Sequence, residues 1–213
     1  MIAASVAEGV AADLVVLVAD DNYSAAVIGF LGRCASLGIR DVRFTIYVHP
    51  WHDPGCLRNG HELLRLHQRK SSHALVMFDR LGCGQEGRAR EELERAVEER
   101  LRTSGWGGRG AAICVDPELE CWVWSASPRV GAALGWRSHQ PELRSWLQGR
   151  GLWTAGRAKP DDPKRAVEEA LHEVRKARSS AIYGQLSRKV GLRACQDPAF
   201  LRLCSILRDW FPL

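Results

Sequence analysis

The chain has no apolar run long enough to cross a bilayer. Its longest such runs, Leu14 to Ala19 and Ala74 to Phe78, fall far short of the roughly 20 residues a spanning helix needs. It also lacks any Cys-x-x-Cys spacing. The seven cysteines (Cys34, Cys56, Cys83, Cys114, Cys121, Cys195 and Cys204) are odd in number and widely scattered. That argues against a disulfide framework and against a zinc knuckle, and leaves small buried hydrophobes in a reducing compartment as their expected use. Neither a GxGxxG nor a Walker loop occurs, so nucleotide sites of those types have no support. No GxSxG elbow is present to hold a serine nucleophile. Met1 to Asp13 has no basic n-region and carries Glu8, which does not read as a signal peptide, so a cytoplasmic protein is expected. There is no low-complexity linker and no internal repeat.

What is present is a regular alternation. Leu14 to Val18 is a short, apolar, β-branched run, the pattern of a strand buried on both faces of a parallel sheet. Ser24 to Leu37 carries Val27, Ile28, Leu31 and Leu37 at helical spacing, with Gly38 as a stop. Val42 to Val48 alternates as a second strand before a turn over Pro50 to Gly55. Leu57 to Arg69 reads as a helix, Ala74 to Phe78 as a third strand, Glu86 to Thr103 as a charged amphipathic helix and Ala111 to Val115 as a fourth strand. Beyond Pro117 only helical stretches are expected: Glu118 to Ser125, Pro141 to Gln148, Asp162 to Ala177 and Pro198 to Trp210. The expected fold is α/β, a mostly parallel doubly wound sheet over residues 1–125, with a helical extension over 126–213 packed on it.

In such sheets the usable crevice lies beyond the C-terminal strand ends. Three of the four strands end there in acids: Asp20 and Asp21, then Asp79, then Asp116 with Glu118 and Glu120. Converging carboxylates repel one another unless a cation neutralises them, and hard oxygen donors suit Mg²⁺ or Mn²⁺. An Asp after a strand serves equally well as a helix N-cap. The stretch Phe78-Asp79-Arg80-Leu81-Gly82-Cys83-Gly84 adds a glycine-rich turn that lets backbone approach a ligand closely. His49-x-x-His52, beside Trp51 and Asp53, is a weaker transition-metal candidate in a solvated turn.

The net charge of +5 and pI near 9.0 favour contact with a polyanion. Much of the positive charge falls in the last third, which includes Arg157, Arg175, Lys176, Arg178 and Arg193. That surface is either a solvated helical face or one that meets nucleic acid or a partner. Of the eight tryptophans, exposed ones could stack on bases, and those at helical positions, such as Trp122 and Trp146, serve as core anchors.

The order of a strand ending in acids, a strand ending in Asp79 with Gly82 behind it, and then Val115-Asp116-Pro117-Glu118-Leu119-Glu120-Cys121-Trp122 resembles the Toprim-like proteins of bacterial antiphage defence loci. These are related to the Toprim domains of topoisomerases, primases and OLD-type nucleases, and include families with a Pro-Glu-Leu-Glu-x-Trp signature. The resemblance runs from about residue 13 to 211 and takes in Lys164, Tyr183 and the closing helix to Trp210. Its narrower form is to a small protein of methylation-associated defence systems. It implies Mg²⁺ held by a Glu after the first strand and an Asp-x-Asp after the third, used on phosphodiesters. This chain departs at both places, with Ala19-Asp20-Asp21 at the first and Leu81 where the second Asp would stand.

On that basis Asp20, Asp21, Asp79, Glu118 and Glu120 are the expected metal ligands, with Asp79 and Glu120 also catalytic. Lys159, Lys164, Arg165, Arg188 and Lys189 are expected to follow a phosphate backbone. Nucleic acid and other defence proteins are the expected partners. A non-catalytic Toprim-like module with a decayed acid site, binding nucleic acid or a partner protein, is the alternative. A small-molecule phosphatase on a similar sheet would need a closed apolar pocket and a phosphate-binding helix N-terminus.

Overall fold

The computed structural model describes residues 12–125, 127–191 and 195–213. The N-terminal stretch read above for a leader, up to residue 11, and Arg193 lie outside the described residues.

Four strands, β1 (Ala12–Val18), β2 (Phe44–Val48), β3 (Ser71–Asp79) and β4 (Gly110–Val115), form one sheet in the order β2-β1-β3-β4, parallel throughout. The central pair is apolar on both sides. Leu14 to Val18 and Ala74 to Phe78 are all buried, because helices cover both faces. The chain leaves β1 for β2 in one direction and returns past β1 to β3 in the other. The carboxyl ends of β1 and β3 therefore flank the topological switch point, where loops diverge and leave a crevice.

One face carries α3 (His52–Arg65) and α4 (Arg90–Leu101); the other carries α1 (Asp21–Leu31). Short helices α2 (Cys34–Leu37), α5 (Arg129–Leu134) and α6 (Leu143–Gly149) join α7 (Pro163–Glu173), α8 (Ser180–Lys189) and α9 (Pro198–Trp210). The helices after residue 126 complete the second face: α8 lies along α1, and α9 rests on β4. Three of these helices start on an aspartate cap. Asp20 accepts from the Tyr23 backbone N–H at 2.9 Å, Asp162 from that of Arg165 at 2.9 Å, and Asp197 from that of Ala199 at 3.1 Å. In α7 and α9 the next residue is proline, whose missing N–H would have had no partner in the first turn.

Several elements depart from the periodicity. The turn expected over Pro50 to Gly55 is mostly the first turn of α3, where Pro54 is tolerated because first-turn N–H groups need no intrahelical acceptor. The helix expected over Ser24 to Leu37 is two pieces, broken at Gly32 and Arg33. The helix expected over Glu118 to Ser125 shrinks to one 3₁₀ turn, Leu119–Trp122. Helices α5 and α8 add to the expected set. The seven cysteines are free, six of them buried and Cys195 half-buried. Among the described residues no helix is long and apolar enough to cross a membrane.

The α1–α8 crossing depends on Gly29. A Cβ there would lie 1.8 Å from Ser187 Oγ and 2.8 Å from Ser187 Cβ, too close for any relaxation short of moving α8. Gly29→Ala is therefore expected to lower stability in urea by about 1–3 kcal/mol, because overpacking outweighs alanine's helix advantage of about 1 kcal/mol. Adding Ser187→Gly should recover part of the loss. Equal stability of Gly29→Ala and wild type would show that the two helices are not in this contact.

Candidate functional site

At the carboxyl edge of the sheet, Asp79 ends β3, while Glu118 and Glu120 flank Leu119 at the 3₁₀ turn after β4. One carboxylate oxygen from each lies within 4.8 Å of the others. The alternation of a short extended segment and a tight turn carries this convergence. It places Glu118 and Glu120 toward β3 and leaves Leu119 among the tail helices. Both glutamates are buried, at 3 % exposure each. Asp79 is half-buried.

Each carboxylate has a dedicated partner. The buried Tyr23 hydroxyl, on α1, donates to Asp79 Oδ1. Lys164 Nζ, in the first turn of α7, stands 3.4 Å from Glu118 Oε2. Arg178, just before α8, and the Tyr183 hydroxyl both donate to Glu120 Oε1. Arg178 also donates to the Tyr183 oxygen at 3.2 Å and pairs with Glu168 at 2.9 Å. A fourth acid stands behind these: Asp53, in the first turn of α3, accepts from the Asp79 backbone N–H at 2.7 Å.

These surroundings set the protonation behaviour. Burial, then the charge of Asp53, push the Asp79 carboxyl well above the ordinary aspartate range. The Tyr23 hydrogen bond opposes the push, and Glu120 and Glu118 add to it. Burial and Glu120 raise Glu118, against the pull of Lys164. Burial raises Asp53 as well, with Asp20 adding to it. For Lys164 burial works against the charged form, but Glu118 and Glu120 outweigh it and hold the ammonium charged. Groups that shift one another this way make the cluster a functional-site candidate, a property that structural ion-pair networks share.

The other residues singled out from sequence fall elsewhere. Asp20 caps α1 and also accepts from the Asn22 side chain at 3.0 Å, and Asp21 is exposed in that helix's first turn; neither joins the three-carboxylate group. Asp116 pairs with Arg80 at 2.8 Å. The glycine-rich turn is closed by its own chain, because Glu86 Oε1 accepts from the backbone N–H groups of Gly82 and Gly84, each at 3.0 Å. His49 is buried, its Nδ1 accepting from the Trp51 backbone at 3.0 Å, and His52 Nδ1 lies 3.0 Å from the Ala19 carbonyl. Among the basic residues, Lys159 pairs with Asp197 at 2.9 Å and Lys164 with Glu118, whereas Arg165, Arg188 and Lys189 are exposed. Of the tryptophans, Trp106, Trp124, Trp136 and Trp153 are buried and Trp51 is the most exposed among the described residues.

Arg178, Tyr23 and the Asp53–Asp79 link are the components that spacing alone does not announce. They lie 26 to 58 positions from the carboxylates they serve.

No family model matches this chain, and neither do any curated protein or solved structure at significance. The chemistry of the site therefore rests on its own geometry. Three carboxylate oxygens so placed could hold a metal ion.

A pH dependence follows. Asp79 has a folded pKa above its unfolded one, so its contribution to stability is complete below the ordinary carboxylate range and is lost as pH rises through the folded value. Asp79→Asn keeps an oxygen for the Tyr23 hydroxyl and removes the charge. Urea unfolding from about pH 4 to about pH 8 should show the variant gaining on wild type with rising pH, by on the order of 1 kcal/mol at the upper end. A variant that is less stable across the whole range would refute the repulsion argument.

Proposed function

We propose that this chain is a Toprim-like component of a bacterial antiphage defence system that acts on nucleic-acid phosphodiesters with a divalent cation at the acidic strand ends. One observation carries the reading: three carboxylates and two cationic side chains meet at the switch point of a parallel sheet. The resemblance of the Pro117–Trp122 stretch to Toprim-like families supplies the defence setting.

The donor set fits the ion. Carboxylate oxygens from Asp79, Glu118 and Glu120 are the hard ligands that Mg²⁺ or Mn²⁺ takes. Bound there, such an ion supplies charge neutralisation for a phosphodiester and lowers the pKa of a coordinated water. The chain's own groups do the rest. Tyr23 and Tyr183 hold the carboxylates of Asp79 and Glu120 in place, as partners behind a metal's ligands do. Lys164 and Arg178 are the cations within reach of the phosphate oxygens, where they offset charge developing during cleavage. The exposed Arg165, Arg188 and Lys189 extend the positive field along a bound strand.

A second reading has its own observation in support. Glu118 and Glu120 are already neutralised by Lys164 and Arg178, the first strand offers no Glu, and Leu81 replaces an expected acid. On this reading the cations stand where a metal stood, and the chain binds nucleic acid or a partner defence protein without catalysis.

Calorimetric titration of Mg²⁺ and Mn²⁺ into wild type, Asp79→Ala and Glu120→Gln separates the two, followed by cleavage assays on plasmid and single-stranded DNA and on RNA. The first reading expects saturable binding in wild type that weakens by at least about ten-fold in both variants, with cleavage lost alongside. Absence of binding and cleavage in wild type sinks it. In that case Arg178→Met is expected to lose stability that added Mg²⁺ fails to restore.

A further inference from the structure

Beside the acid site, and separated from it by the 3₁₀ turn, is a solvent-open cavity of about 1030 Å³ bordered by α1, α5, α6, α8 and α9. Its walls are aromatic and aliphatic, with Phe30, Trp122, Trp124, Trp136, Trp153 and Phe200 contributing rings. The indole N–H groups that could make these walls polar are all turned into the protein. That of Trp122 donates to Asp197 Oδ1 at 3.0 Å, and those of Trp124, Trp136 and Trp153 donate to the carbonyls of Pro163, Pro141 and Arg157 at 2.9 Å each. The rings pack on one another, Trp124 against Trp153 at 5.5 Å and Trp122 against Phe200 at 5.3 Å between centroids, and form a firm apolar backing to the cavity. Its volume matches the upper end of pockets for small organic ligands.

The charged part of the lining is mainly basic. Arg137 and Arg144 are exposed at the rim. Arg144 lies over the Trp153 ring at 4.7 Å and donates to the Arg157 carbonyl at 2.9 Å, leaving its charge without an acid at either contact. Lys159 is neutralised by Asp197. The single acid of the lining among the described residues, Glu142, caps α6 with its carboxylate 3.4 Å from the Ser145 backbone nitrogen.

We infer that this cavity is a binding site for a small molecule with an apolar body and an anionic group. The apolar body lies against the cavity's apolar lining, and the anion sits at the rim against Arg137 and Arg144. The inference stands apart from the metal reading, although the two sites share a wall. Leu119 and Trp122 line the cavity while Glu118 and Glu120 of the same turn face Asp79, and Tyr183 lines it while donating to Glu120.

Fluorescence titration of the full chain with 1-anilinonaphthalene-8-sulfonate, an aromatic anion that brightens in apolar surroundings, tests it. The uncharged N-phenyl-1-naphthylamine serves as comparison. Saturable binding at equimolar dye is expected. Ala132→Trp, which fills the cavity, should weaken both dyes by about ten-fold or more. The double variant Arg137→Glu with Arg144→Glu should weaken the sulfonate by about ten-fold and leave the neutral dye unchanged. Circular dichroism establishes that each variant is folded, and if Ala132→Trp is not, the surface charge variant decides. Non-saturating binding, or sulfonate binding untouched by the charge reversal, overturns the proposal.

Discussion

Three carboxylates held within a few ångströms of one another repel, and the rest of this molecule is arranged around that repulsion. The sheet forces the encounter. Asp79 has to end β3, and the chain after β4 turns so tightly that alternate residues, Glu118 and Glu120, face back toward it. Unpaired, such a cluster would take up protons or push the strand ends apart. The protein answers with hydroxyls and cations drawn from distant segments. Two of the buried glutamates' cationic partners, Lys164 and Arg178, come from helices or loops of the C-terminal part.

The C-terminal helices that supply these partners are themselves held by apolar packing. α8 approaches α1 so closely that Gly29 has no room for a side chain, and this contact fixes Tyr183 over Glu120 and Arg178 beside it. α9 lies on β4, and its cap residue Asp197 anchors both Lys159 and Trp122. The same helices leave an aromatic-walled void on one side of the 3₁₀ turn and the acid crevice on the other, so that one short piece of backbone borders both.

Much of the frame was legible from sequence. β1 and β3 are continuous apolar runs that suit a doubly covered parallel sheet, and the stretches Asp162 to Ala177 and Pro198 to Trp210 located α7 and α9. The acids at strand ends were equally legible, because the topology of such sheets sends them to one edge. The failures have physical causes. α8 carries Gly184 and several polar residues, and it is helical chiefly because Ile182, Tyr183 and Leu186 pack on α1. Pro54 looked like a turn because the tolerance of a helix's first turn for proline depends on where the helix begins. Asp20 and Asp21 carry the same residue type as Asp79, and which aspartate caps a helix and which enters the site is decided by a register that local pattern does not contain. Arg178, Tyr23 and the Asp53 contact are long-range pairings with no local signature.

The acids lie between residues 79 and 120, and their neutralising cations at 164 and 178. During synthesis the carboxylates leave the ribosome well before either cation does. All four strands are therefore made before either cation, and the carboxylates gain their charge partners only once residues 164 and 178 are in place. Assembly order makes the crevice one of the last parts of the molecule to become what it is in the finished protein.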